Sequence, residues 1–111
     1  MNGLYYTTSF NAEHPSTQIG KEFVQKYQEI YKTLPSAFAA LGFDSYLLLR
    51  DAIQRSGSTD PEKINAAIRN TKDFEGVTGY ITIDASGDAI KSAVVNEVVN
   101  GKFTYVTTIN P

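Results

Sequence analysis

Apolar positions along the chain change their repeat twice, and each change marks a new kind of element. Leu4–Phe10 begins with aromatic and β-branched residues, the composition of a strand. The polar stretch Asn11–Pro15 ends in a proline and suits the entry to a helix. Beyond it Ile19, Phe23, Tyr27, Ile30 and Leu34 recur at helical steps on one face, with Lys21, Gln25, Lys26, Gln28 and Lys32 turned to solvent. Pro35 is expected to stop this helix, because the residue before a proline is pushed out of helical geometry.

A second helix is predicted over about Ala37–Ser56. Phe38, Leu41, Leu48, Leu49, Ala52 and Ile53 line one side, and Phe43, Tyr46 and Leu47 widen the apolar arc well beyond a stripe. A helix of that kind is normally covered on more than one side. Only its end, with Arg50, Asp51, Gln54 and Arg55, reads as solvent-facing. Gly57 stands where a left-handed C-terminal cap is expected. Asp60-Pro61 starts a third helix as N-cap and first helical residue, with Ile64, Ala67 and Ile68 facing inward and an end near Asn70.

After a short polar connection the repeat becomes two. Ile81 and Ile83 alternate with Tyr80, Thr82 and Asp84, Ala85–Asp88 turns the chain, and Ala93–Val99 forms the next strand. Asn100-Gly101 is the strongest hairpin signal, since a type I′ turn needs positive φ at both central residues, and Phe103–Ile109 pairs back. The predicted order is a strand, three helices and an antiparallel β-meander.

A length of 111 residues gives room for one core, and 41% hydrophobic with 20% charged residues is ordinary for a globular domain. The net charge of -2, with Lys and Arg dispersed, argues against a nucleic-acid surface. Without cysteine there is no disulfide, thiolate nucleophile or zinc–thiolate site. The apolar run around Ala37–Leu41 and Tyr46–Leu49 is broken by Gly42 and Asp44, so it is not expected to span a membrane. The opening MNGLYYTTSF has neither the positive region nor the apolar segment of a signal peptide.

His14 is the single histidine, so no two-histidine metal site can be built; beside Pro15 it reads as a helix-entry residue. Asp84 and Asp88 flank Ala85-Ser86-Gly87 but lack the further oxygen ligands and distal glutamate of a calcium loop, and an ordinary turn is expected. Ser45 and Ser86 sit in no G-x-S-x-G motif, and there is no phosphate loop. Nothing here supports an enzyme. Most of the seven tyrosines and six phenylalanines fall on the apolar faces described above. Tyr5, Tyr6, Phe10, Phe38 and Phe43 lie near element ends instead, and side chains of this kind line apolar ligand pockets.

Several segments match one family in that family's order: GLYYTTSF (3–10), FVQKYQEIYKTLP (23–35), SAFAALGFDSYLLL (36–49), DAIQRSGSTDP (51–61), TKDFEGVTGYITIDASGDAIKSAVVNEVVNG (71–101) and NEVVNGKFTYVTTINP (96–111). Together they resemble the C-terminal region of the branched-chain amino-acid group of solute-binding proteins, of the type 1 periplasmic-binding fold. Each motif alone is weak; their order and spacing, covering nearly the whole chain, are specific. The resemblance implies an α/β parent of two Rossmann-like lobes that closes on a small ligand, an aliphatic amino acid, and delivers it to an ABC permease, without cofactor or catalysis. The chain then reads as the last part of a receptor that is periplasmic or lipid-anchored outside the cell, its signal lying upstream and Met1 not its natural start.

By that likeness Tyr5–Phe10 is a crossover strand, residues 1–79 belong to the N-terminal lobe, and Tyr80–Asp84 crosses again. Residues 80–111, with the closing hairpins, belong to the C-terminal lobe. Phe38 resembles a position that touches the ligand's apolar part, with Ala39 and Phe10 as secondary contacts. The groups that hold the ligand's amino and carboxylate ends lie mostly upstream, so the chain alone is expected not to bind leucine, isoleucine or valine. Uncovered, the second helix is expected to drive self-association, swapping, or repacking of the meander over the helices. The alternatives are a ligand-sensing domain on the same fold, for an amide or amino acid, and a free-standing interaction module.

Overall fold

The computed structural model describes residues 2–111; Met1 lies outside them. The elements run β1 (Tyr5–Thr8), α1 (Gln18–Tyr31), α2 (Ala37–Ser56), α3 (Pro61–Arg69), β2 (Phe74–Gly76), β3 (Gly79–Ile83), β4 (Ala89–Ile90), β5 (Ala93–Val99) and β6 (Lys102–Ile109). The bounds of α2 and β5 coincide with the sequence expectation. The short strands β2 and β4 do not appear in it, because neither is long enough to show alternation.

The strands form two antiparallel sheets, in the orders β1-β5-β6 and β2-β3-β4. The expected meander is therefore divided: β3 pairs with its neighbours β2 and β4, while β5 pairs with β6 and with β1 from the far end of the chain. Asn100 (φ 51°) and Gly101 (φ 76°) make the β5–β6 turn with the two positive φ values that the Asn-Gly pair predicts. A register shift between Val95 and Asn96 marks a bulge in β5.

Helix α1 is shorter than its apolar repeat. Lys32 adopts a left-handed conformation (φ 59°) and its N–H closes on Gln28 O at 2.9 Å, which ends the helix before Pro35 can. Ile30 and Leu34, assigned by the repeat to the buried face, are consequently exposed. At its start the N-cap is Thr17, three residues after His14. Helix α2 is capped by Ser36, whose Oγ accepts from Ala39 N at 3.2 Å, and by Gly57 at φ 64°. Its buried residues are Ala40, Asp44 and Ala52, so small side chains and one acid face inward. Phe38, Phe43, Tyr46 and Leu49 stay exposed. Helix α3 has Pro61 at its first turn, but Asp60 makes no side-chain cap bond. Arg55 ties α2 to the end of α3, donating to Ala67 O (2.8 Å) and Thr71 Oγ1 (3.0 Å) while paired with Asp51 (2.7 Å).

The core gathers Phe10, Val24, Ala40 and Val77, with Ile19, Phe23 and Leu47 against it. It joins α1, α2 and the β2–β3 turn, and takes one side chain, Phe10, from the connection after β1. The radius of gyration is 15.6 Å and the extents are 50 × 33 × 19 Å. A compact domain of this length would have a radius of about 13 Å, so the molecule is drawn out along one axis.

Candidate binding site

A groove of about 570 Å³ runs between the β1–β5–β6 sheet and the α1–α2 connection. The sequence supplies it with aromatic side chains at element ends. Tyr6 comes from β1, Phe103 from the start of β6, and Phe38 from the first turn of α2; Phe10 closes the groove on the core side. Tyr6 and Phe103 meet edge to face at 5.4 Å, a favoured aromatic geometry. Phe10 is 6% exposed, whereas Phe38 is 85% exposed and stands free at the rim. Two of the three expected contact residues, Phe10 and Phe38, thus line one groove. Ala39 does not join them: it faces a second, apolar groove between α1 and α2, beside Phe23 and Phe43.

The buried polar residue of the first groove is Asn96, at the bulge of β5; Thr8, Asn11 and Ser36 also line it. Asn96 Oδ1 accepts from Asn11 Nδ2 (3.2 Å) and Asn96 Nδ2 donates to Tyr6 OH (3.0 Å), so the amide fixes β1 and the connection that carries Phe10. Among the described residues no buried side-chain polar atom lacks a partner. The groove therefore combines apolar walls from Tyr6, Phe10, Leu34, Phe38 and Phe103 with a polar minority, its charged residues Glu13 and Lys102 being exposed. Such a surface suits the hydrocarbon part of a ligand. A zwitterion's charges would need further partners, because burying them unpaired is costly.

His14 stacks on Tyr105 at 4.3 Å, packing the entry to α1 against β6. Asp84 Oδ1 accepts from Ser86 N and Asp88 N, both at 2.9 Å, so this carboxylate is taken up by the turn it builds. Among the described residues no cluster of three or more His, Cys, Asp or Glu is placed to hold a metal. Among the described residues no helix is long and apolar enough to cross a membrane.

Sequence reasoning missed the most heavily bonded acid. Asp44 is 4% exposed and accepts from Val77 N, Thr78 N (3.0 Å) and Thr78 Oγ1 (2.6 Å). Thr78 Oγ1 in turn accepts from Lys91 Nζ, so a hydroxyl stands between ammonium and carboxylate. Burial pushes the Lys91 ammonium below its ordinary pKa, and the negative charge of Asp44 works against that shift. The same turn is held from the other side. Thr17 Oγ1 caps α1 by accepting from Gly20 N (2.9 Å) and donates its own proton to Gly76 O (2.7 Å). Gly76 and Gly20 permit this closeness, since a Cβ on either would come within 2.8 Å of Asp44 Oδ1 or Val77 O respectively. The legible signals were an acid, Asp44, inside the apolar first half of α2 and the small-residue run Gly76-Val77-Thr78-Gly79.

A family model described as periplasmic binding protein matches residues 1–102. The structure of a leucine-binding protein from Thermotoga maritima is 48% identical, covering 99% of this chain and 31% of that one, with a TM-score of 0.89. A branched-chain amino acid transporter substrate-binding protein from Streptococcus pneumoniae, solved with isoleucine, is 33% identical over 96% of this chain and 30% of its own, with a TM-score of 0.83. An ABC transporter substrate-binding protein from Desulfitobacterium hafniense, solved with leucine, is 29% identical over 95% of this chain and 31% of its own, at 0.86. The chain spans less than a third of the length of each.

Proposed function

The chain belongs to the periplasmic binding protein family, and we propose that it forms one part of an extracytoplasmic receptor that captures a branched-chain or related aliphatic amino acid for an ABC permease. The role is binding, not catalysis. The observation that carries the reading is the 48% identity with the leucine-binding protein over 99% of this chain. The groove adds chemical sense to it. Phe38 and Phe10 supply apolar contact for an aliphatic side chain, and the remainder of the receptor supplies the charged partners of the amino and carboxylate groups. Phe38 is the principal contact and Phe10 a secondary one, while Ala39 lines the neighbouring α1–α2 groove.

In this reading the helices with the β2–β3–β4 sheet serve one lobe and the β1–β5–β6 sheet serves the other, the chain crossing between them after β1 and after β4. The test is a graft. This chain replaces the matching region of the Thermotoga protein, and leucine binding is measured by calorimetry. The expected result is micromolar or tighter binding by the graft and none by the 111-residue chain alone. A folded graft that binds no aliphatic amino acid, or leucine binding by the chain alone, overturns the reading.

A further inference from the structure

The two sheets of this chain belong to two bodies, and both chain segments that join those bodies pass one turn, while His14 on Tyr105 and Asn11 on Asn96 hold the first segment to the second sheet. The helices and the β2–β3–β4 sheet make the first body; the β1–β5–β6 sheet makes the second. The chain passes between them twice, through residues 9–17 after β1 and through Lys91-Ser92 after β4. The first passage is tied to the Gly76–Gly79 turn by the Thr17–Gly76 hydrogen bond of 2.7 Å. The second is bonded to the same turn by Lys91 and packs beside it at Ser92. Lys91 Nζ donates to Thr78 Oγ1, and Ser92 Oγ lies so close to Gly79 that a Cβ there would meet it at 3.0 Å.

We propose that Lys91, Thr78 and Asp44 form a latch that sets the angle between the two bodies. The chemistry of the hydroxyl makes the arrangement directional. Thr78 has one proton, which goes to Asp44 Oδ2, and this turns a lone pair toward the ammonium. Asp44 is seated in α2 and so fixes the latch to the first body, while Lys91 is the first residue of the two-residue link to the second. Swinging the β1–β5–β6 sheet about that link draws Nζ away from Thr78. The hydroxyl and both turn amides keep the carboxylate, so opening the latch leaves the first body's own bonds intact. The elongated shape is consistent with two bodies whose relative angle is set at few points, among them Phe10 and this latch. The inference goes beyond the binding reading and holds with or without a ligand.

The chain has no cysteine, so a pair of spin labels can be placed cleanly at Gln54→Cys on α2 and Lys102→Cys at the start of β6, both exposed. The distance distribution between them is measured by pulsed electron resonance for the otherwise unsubstituted chain, for Lys91→Met, which keeps the stem and removes the donor, and for Lys91→Arg, which restores one. The expected result is a single narrow distribution, broadened about twofold or more by Lys91→Met and narrowed again by Lys91→Arg, with the helical circular dichroism unchanged. A broad distribution in the unsubstituted pair, or a Lys91→Met distribution as narrow as the unsubstituted one, overturns the proposal. So does loss of the helical signal in Lys91→Met, which would make Lys91 a prop of the fold rather than a latch.

Discussion

Replacing Asp44 by alanine removes the acceptor for three donors at once, and the structure sets the size of the effect. Val77 and Thr78 are 0% and 1% exposed, so water cannot take over from the missing carboxylate. The Thr78 hydroxyl can rotate to another acceptor, but the two backbone N–H groups cannot. Each buried donor left unpaired costs about 1–3 kcal/mol, which gives roughly 2–6 kcal/mol for the pair. Domain stabilities are only about 5–15 kcal/mol, so the substitution removes a large share of the total. Asp44→Asn keeps one oxygen for one amide and sets an NH2 against the other, and should cost about half as much. Urea unfolding followed by far-UV circular dichroism measures both, and hydrogen exchange at the Val77 and Thr78 amides locates the change. An Asp44→Ala chain within about 1 kcal/mol of the parent, with an unchanged denaturant slope, would refute the reasoning.

Gly76→Ala should destabilise by about 1–3 kcal/mol in the same assay, because its Cβ would lie 2.8 Å from Asp44 Oδ1 inside a bonded network that cannot yield; unchanged stability would show that the turn can move. Lys91 gives a pH dependence whose sign follows from its lowered pKa. Between that value and the ordinary 10.5 the unfolded chain binds more protons than the folded one, so stability rises with pH through this alkaline window. Lys91→Met should lack that rise, and matching thermal profiles for the two chains would count against it. Phe38→Ala, at an 85% exposed position, should leave folding stability within about 0.5 kcal/mol. In the grafted receptor it should weaken leucine binding roughly 10- to 150-fold, the worth of about 1.5–3 kcal/mol of apolar burial; equal affinity would remove Phe38 from the site.

The elements that could be read from the sequence are those whose own residues decide them. Helix α2 begins at a serine cap and ends at Gly57, and the β5–β6 hairpin is fixed by Asn100-Gly101, so both lie where local chemistry places them. The end of α1 was misread because Lys32 adopts a left-handed cap that the apolar repeat does not announce. The division of the meander into two sheets depends on β1, a strand almost the whole chain away from its partner, and no local pattern carries that pairing. Apolar width around α2 was visible, but which side faces inward was not. The inward stripe is Ala40, Asp44 and Ala52, and at Ala40 and Asp44 the close approach of the β2–β3 turn, rather than hydrophobicity, sets the choice. Of the candidate contacts, Phe10 and Phe38 share a groove because the connection after β1 returns to the start of α2.

The pairing of β1 with β5 also dictates the order in which the molecule can assemble. Thr8 lies opposite Val94 and Tyr5 opposite Glu97, and Asn2 Oδ1 accepts from Asn100 N at 2.7 Å. Closing a loop of roughly 85 residues costs about 4 kcal/mol beyond the constant for any closure, which no four-residue strand recovers by itself. Strand β1, synthesised before the helices, must therefore wait for the β5–β6 hairpin, while α1, α2 and α3 condense on neighbours close in sequence. A nascent chain stalled before residue 93 would have its helices in place and its β1 still searching for a partner.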